Sequence, residues 1–167
     1  MTVEIERRFL TTTQDWREKV IYMSEALITQ CYPPELQAEG TFVRIRQTKG
    51  DKFTLYEKGV KGISDGLSCS EEEVRISKGD ADHFFSNCYN RVLSKLRQNS
   101  FYQGFILHID QFLEIRGEEA SLVVIEIEFS TLDEARNYVP PKWLGHEITG
   151  KHKWSNFELC VNGIPLD

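Results

Sequence analysis

The chain has 167 residues, with 26 Asp and Glu against 20 Lys and Arg and a formal charge of -6. That length suits one compact unit with a real core, so a single domain over residues 1–167 is expected. The acidic balance excludes a broad basic surface for coating nucleic acid, and any cationic site has to be local.

In chain order, the first element is TVEIERRFL, residues 2–10, where Glu4, Glu6 and Arg8 alternate with Ile5 and Phe9 as on a strand. This start carries no basic then apolar leader, and no apolar run further on could cross a bilayer, which predicts a cytoplasmic protein with no membrane partner. The stretch TTQDWREKVIYMSEA puts Trp16, Val20 and Met23 on one stripe and predicts an amphipathic helix. Strands follow near residues 26–32, 41–49 and 52–58. YPPEL separates the first two, and TKGDK turns the second into the third with Gly50 and Asp51 at a hairpin tip. A strand near 67–77 leads to DADHFFSNCYNRV, read as a second amphipathic helix with Asp80 as N-cap and Phe84, Phe85 and Cys88 on its stripe. Strands near 92–99, 104–114 and 119–130 come next, then TLDEARNYV with the capping-box pair Thr131 and Glu134, and a last helical turn in SNFELC. Cys31, Cys69, Cys88 and Cys160 are far apart with no CxxC pair, so reduced, buried thiols are expected. About eight strands with short connections predict an α+β, mainly β fold, with an antiparallel sheet or barrel favoured.

The alternation of charge recurs along the chain. Arg44 and Arg46 alternate, as do Glu71, Glu73 and Arg75; Lys95 and Arg97 flank Leu96, His108 and Asp110 flank Ile109, and Glu126 and Glu128 flank Ile127; Lys58 ends a strand. A half-solvated sheet explains any one such strand. It does not explain why the signs are sorted by strand while the opposite faces carry Ile, Val, Leu and Phe. Those apolar faces suit a covering of helices, which makes the charged face the concave inside of a barrel. Like charges about 6 Å apart at an effective dielectric near 20 repel by roughly 3 kcal/mol, so such an interior calls for bound ions. Clustered carboxylates fit Mg²⁺ or Mn²⁺, and clustered Arg and Lys fit a phosphate chain. His83, His108, His146 and His152 show no metal-ligand spacing.

In these residues the chain resembles the CYTH superfamily, the triphosphate tunnel metalloenzymes. EIERR, residues 4–8, is similar to the family's ExExK except that Arg8 stands for the lysine. TQCYPP, FVRIRQTKGDKFTLYEKG, SKLR, HIDQF, VVIEIEF and WLGHEITGKHKWSN resemble, in order, further family elements over nearly the whole chain. The resemblance implies an eight-stranded antiparallel β-barrel, a tunnel with helices packed outside, that binds a triphosphate with Mg²⁺ or Mn²⁺. It implies metal ligation by Glu4, Glu6, Asp110, Glu126 and Glu128. Phosphate contacts would come from Arg8, Arg44, Arg46, Lys58, Lys95, Arg97 and Lys153, with Lys151 the alternative to the last. Glu73, Glu71 or both would position a cation, and Glu126 or Glu128 would take a proton, with Arg8 and Lys95 assisting the chemistry.

The expected reaction is metal-dependent hydrolysis of inorganic tripolyphosphate by water, favoured because the ionic residues come with no evident base-stacking box. Thiamine or nucleoside triphosphate hydrolysis, a class-IV adenylyl cyclase and a non-catalytic polyphosphate binder are the alternatives. A homodimer is compatible with the sequence. Trp154 stands where relatives commonly have tyrosine, and Tyr32, beside Pro33 and Pro34, is read as a packing residue.

Overall fold

A computed structural model describes residues 1–166. The strands are β1 (Thr2–Leu10), β2 (Ile21–Cys31), β3 (Thr41–Lys49), β4 (Thr54–Gly62), β5 (Ser68–Arg75), β6 (Val92–Tyr102), β7 (Phe105–Ile115), β8 (Glu118–Glu119), β9 (Val123–Glu128) and β10 (His146–Glu147). The α-helices are α1 (Trp16–Lys19), α2 (Lys78–Ser86), α3 (Leu132–Asn137) and α4 (Asn156–Asn162). Pairing runs β1-β5-β4-β3-β2-β6-β7, and β9 bridges β7 back to β1. Eight antiparallel strands therefore close into a barrel, while β8 and β10 are short additions to β7 and β1. Closure pairs the edges that an open sheet would leave bare.

The period-two pattern sorts side chains between the two faces of this wall. Phe9, Leu107, Ile109, Ile125 and Ile127 point outward and pack with Trp16, Ala135 and Leu144, under α1, α3 and a short 3-10 turn. On the other flank Cys31 and Ile45 are sealed by Ala81 of α2 and by Cys88. Each such large apolar side chain removed from water contributes about 1.5–3 kcal/mol. The inner face is apolar at one end, where Tyr32, Leu93, Phe112 and Val124 meet Ile148, Trp154, Leu159 and Cys160. α4, capped by Ser155 accepting the Glu158 amide, thus fills one end of the barrel and leaves the ionic part of the lumen beside it.

Several elements differ from the sequence reading. The first helix is one turn, and the chain from Ile21 onward is strand, because β6 continues to Tyr102 and offers partners as far as Ile21 opposite Phe101. Met23 falls at a register shift and is 54% exposed, off any buried stripe. α2 is capped by Ser77, whose hydroxyl accepts the Asp80 amide, so Asp80 lies inside the first turn. β4 runs four residues beyond Lys58, and the expected strand near 119–130 divides into β8 and β9. The β3–β4 hairpin and the Thr131 capping box form where expected. The four cysteines are free, three of them buried. Among the described residues no helix is long and apolar enough to cross a membrane.

Candidate active site

Register brings the alternating charges together. Glu6 lies opposite Glu128 and Arg8 opposite Glu126 across β1 and β9, while His108 on β7 is opposite Glu126. Arg44 faces Gly59, which faces Glu73, and Lys61 faces Glu71, across β3, β4 and β5. Gly59 leaves room for the arginine: a β-carbon there would stand 3.0 Å from Arg44 Nε. Apart from Arg8, the charged side chains of these pairs and His108 line an ionic cavity of about 210 Å³, with Glu4, Arg46, Arg97 and Asn156 also on its wall. It adjoins a larger cavity of about 490 Å³ that shares Glu4, Glu6, Arg44, Lys61 and Glu126, and adds Arg8 and an apolar side of Tyr32, Phe42, Ile63, Leu67 and Phe157.

Much of the charge is matched within the protein. Arg97 donates to both oxygens of Asp110 at 2.7 Å and to Glu126 at 2.5 Å, and Lys95 Nζ donates to Asp110 Oδ2 at 2.6 Å. Arg44 bridges Glu71 and Glu73, and Lys61 donates to Glu4 at 2.7 Å. Arg8 donates to the Trp154 carbonyl at 3.1 Å, with its Nε 3.3 Å from Glu126 Oε2. The Arg46 guanidinium donates instead to the Gln30 amide oxygen, through Nε at 3.2 Å and Nη2 at 3.1 Å.

The proton affinities follow from this uneven matching. Burial works against ionised Asp110 and Glu126, but Arg97, with Lys95 and for Glu126 also Arg8, holds both carboxyls below their ordinary range. Glu6, whose burial is compounded by Glu126, is pushed up to about 7, and Glu128 is raised by burial and by Glu4 and Glu126. Glu71 is pushed up by burial and by the neighbouring Glu4 carboxyl, whereas at Glu4 burial is outweighed by Glu71 and Lys61, so Glu71 takes up a proton more readily than Glu4 does. Burial, then Arg44 and Arg97, brings Arg46 down to about 10. Burial and Arg97 keep His108 down to about 4, hence neutral near pH 7.

Of the residues expected at the site, Glu4, Glu6, Arg8, Arg44, Arg46, Glu73, Arg97, Glu126 and Glu128 line the two cavities, and Glu71 joins Glu73 there. Others are corrected. Lys58 pairs with Ile45, a buried residue of the outer core, so its side chain leaves the barrel on the opposite face from Arg44. Lys61, one turn of the alternation beyond Gly59, takes the place given to Lys58; the continuing pattern Glu57, Gly59, Lys61 was the signal that a strand ended at Lys58 concealed. Lys95 is fully buried against the Phe112 ring and Asp110, lines neither cavity, and is brought down to about 7 by that burial. Asp110 is 1% exposed, has both oxygens engaged by Arg97 and Lys95, and lines neither cavity. Lys153 is exposed and lies off the cavity walls, where Lys151 and His152 stand. Tyr32 packs as expected and also accepts a hydrogen bond from Gln30.

A hard cation fits the donor chemistry of the β1–β9 wall. Among the described residues, no three His, Cys, Asp or Glu side chains already converge as a ligand set, and Glu6 has no ion pair. Glu128 is 3.4 Å from neutral His108. Glu6 and Glu128 are therefore oxygen donors with no Lys or Arg ion pair, on which Lys61, Arg8 and Arg97 act only from a distance, and such donors suit a divalent cation.

No protein-family model matches the chain. It is 38% identical over 104 residues to an inorganic triphosphatase of Acetivibrio thermocellus, a match spanning 62% of this chain and 64% of that protein. It is 26% identical over 162 residues to an inorganic triphosphatase of Nitrosomonas europaea, covering 95% and 97% of the two chains. Its fold superposes on the crystal structure of an inorganic triphosphatase with TM-score 0.65 at 23% identity, covering 99% of both chains. A Hippeastrum protein described as an adenylyl cyclase candidate with dominant triphosphatase activity gives TM-score 0.72 at 16% identity, over 98% and 97% of the two chains.

Proposed function

We propose that this chain is a triphosphate tunnel protein of the CYTH type, a reading supported by its likeness to two inorganic triphosphatases and to the tunnel fold, and that it hydrolyses inorganic tripolyphosphate to pyrophosphate and orthophosphate with the help of Mg²⁺ or Mn²⁺. The observation that carries this reading is that one cavity of about 210 Å³ brings together four cations, Arg44, Arg46, Lys61 and Arg97, with a second set of carboxylates, Glu6 and Glu128, that no Lys or Arg ion pair engages. An anion receptor alone gains nothing from the second set.

Tripolyphosphate would lie along the arginines, whose planar forks suit phosphate oxygens. A cation held by Glu6 and Glu128, with Glu4 and Glu126 adjacent, would screen the phosphate charge and lower the pKa of water. Holding the terminal phosphoryl group in line with water, and spreading its charge over Arg44, Arg46 and Arg8, is most of what this reaction asks of a protein. Water's oxygen bonds to the terminal phosphorus as the bridging oxygen leaves with pyrophosphate. Of the pair, Arg97 and Arg8 hold the Glu126 carboxyl low and make it weakly basic, so the water's proton would pass to Glu128 through an oxygen that the cation leaves free. Glu126 then serves to orient the two arginines.

The apolar side of the larger cavity supports a second reading. Phe42 packs against Phe157 at 4.9 Å and His152 at 5.9 Å between ring centres, beside Arg8, Arg44 and Lys61. Such a vestibule is the planar, apolar surface that the sequence reading lacked, and it suits a triphosphate carrying an organic group. The deciding experiment is phosphate release from tripolyphosphate, thiamine triphosphate and ATP with Mg²⁺, Mn²⁺ or chelator, with cyclic AMP assayed in the ATP samples. Fastest release from tripolyphosphate, abolished by chelator, is expected. Binding without release, or cyclic AMP as the product, overturns the proposal.

A further inference from the structure

Arg46 is anchored differently from the other cavity arginines. Arg44 sits between Glu71 and Glu73, and Arg97 between Asp110 and Glu126. Arg46 spends its Nε and one Nη2 hydrogen bond on the amide oxygen of Gln30, and its nearest carboxylate, Glu73, is 3.9 Å from Nη1. Gln30 is its cross-strand partner on β2 and is wholly buried. The amide's orientation is locked from behind, because Gln30 Nε2 donates to the hydroxyl of buried Tyr32 at 3.1 Å. An arginine has only donors, so the oxygen has to face it, and the tyrosine takes the other end of the amide.

Glutamate at this position would hold a guanidinium more strongly, through charge-assisted hydrogen bonds. It would also cancel the charge. Resting on the tripolyphosphate reading above, we propose that Gln30 is a positioning residue that fixes Arg46 through a neutral hydrogen bond, leaving its full positive charge for the phosphate chain. Arg44 and Arg97, facing the same cavity, further favour an anion at this spot, since nothing from Gln30 offsets the repulsion among the three. Tyr32 belongs to the device as the group that orients the amide.

Wild type, Gln30→Glu, Gln30→Met and Tyr32→Phe would be compared by calorimetric binding of tripolyphosphate across a KCl series, by steady-state phosphate release, and by thermal unfolding. Gln30→Glu is expected to raise Kd and KM by about tenfold, the worth of one charged hydrogen bond. It should leave kcat less affected, flatten the salt dependence of Kd, and keep or raise the unfolding temperature. Gln30→Met should raise KM while lowering that temperature, and Tyr32→Phe should have the same effects in smaller measure. Gln30→Glu with wild-type affinity and salt dependence, or with losses that track a lowered unfolding temperature, overturns the inference while the function stands. A wild-type protein that neither binds nor hydrolyses tripolyphosphate overturns both.

Discussion

The β6–β7 and β1–β9 stretches of the barrel wall are neighbours, joined where β7 pairs with β9, yet they differ in electrostatic character. On the first, Lys95, Arg97 and Asp110 form a closed set in which each charge touches its opposite at 2.6–2.7 Å, buried and away from both cavities except at Arg97. On the second, Glu6 and Glu128 sit opposite one another with no cation of the protein on either. A matched wall is framework, since buried charges persist where their partners do. An unmatched one is a place for something that arrives from solution.

The largest effect should come from breaking the matched set. Asp110→Ala strands Lys95 and Arg97 without their shared carboxylate and is expected to cost about 3–5 kcal/mol of stability, read by urea unfolding. Glu6→Gln is the opposite experiment. Removing an unmatched carboxylate should leave stability unchanged or higher in chelator-treated protein, yet lower kcat by about 10²–10³, the usual scale for one lost electrostatic group. If Glu6→Gln destabilises as Asp110→Ala does, the distinction between the two walls fails.

Much of this was legible before any coordinates, for a definable reason. Strict alternation with sorted sign fixes which side chains share a face, so the inward set Glu4, Glu6, Arg8, Arg44, Arg46, Glu126 and Glu128 could be read directly. What alternation cannot convey is depth along the barrel. Lys95 and Arg97 have the same parity, yet one is sealed under the apolar plug with Phe112 and the other opens to the cavity. Strand ends were the second loss: stopping β4 at Lys58 chose the outward lysine, and a helical stripe through Trp16 to Met23 competed with a β2 that only its pairing to distant β6 establishes. The aromatic vestibule was invisible because Phe42 and Phe157 stand more than a hundred residues apart and meet only when α4 docks.

Lys61 and Lys58 give a smaller contrast that tests the register. Lys61→Ala should raise KM for tripolyphosphate by roughly tenfold through loss of one cavity cation, whereas Lys58→Ala should leave the kinetics at wild-type values and change stability by no more than about 0.5 kcal/mol. Reversed effects would mean that β4 is shifted by one residue.

A smaller effect than the loss of Lys61 lies just outside the barrel, at the residue next to Arg8. Arg7 points the other way from β1, donates to both oxygens of Glu147 at 2.7 and 2.8 Å, and reaches the carbonyls of Ala135 and Tyr138 at the end of α3. The Arg7 hydrogen bond holds the Glu147 carboxyl below its ordinary range. A depressed folded-state pKa means the unfolded chain binds the proton first, so the pair's contribution is complete above the ordinary carboxylate pKa and fades as pH falls through the folded value. Glu147 is 36% exposed, so solvent screening limits the pair to about 1 kcal/mol. Glu147→Gln should therefore lower stability by about that much at pH 7, converge with wild type in acid, and leave KM and kcat alone. A change in KM would mean that α3 and β10 are coupled to the lumen through β1, and that the outer and inner faces of this strand do not act independently.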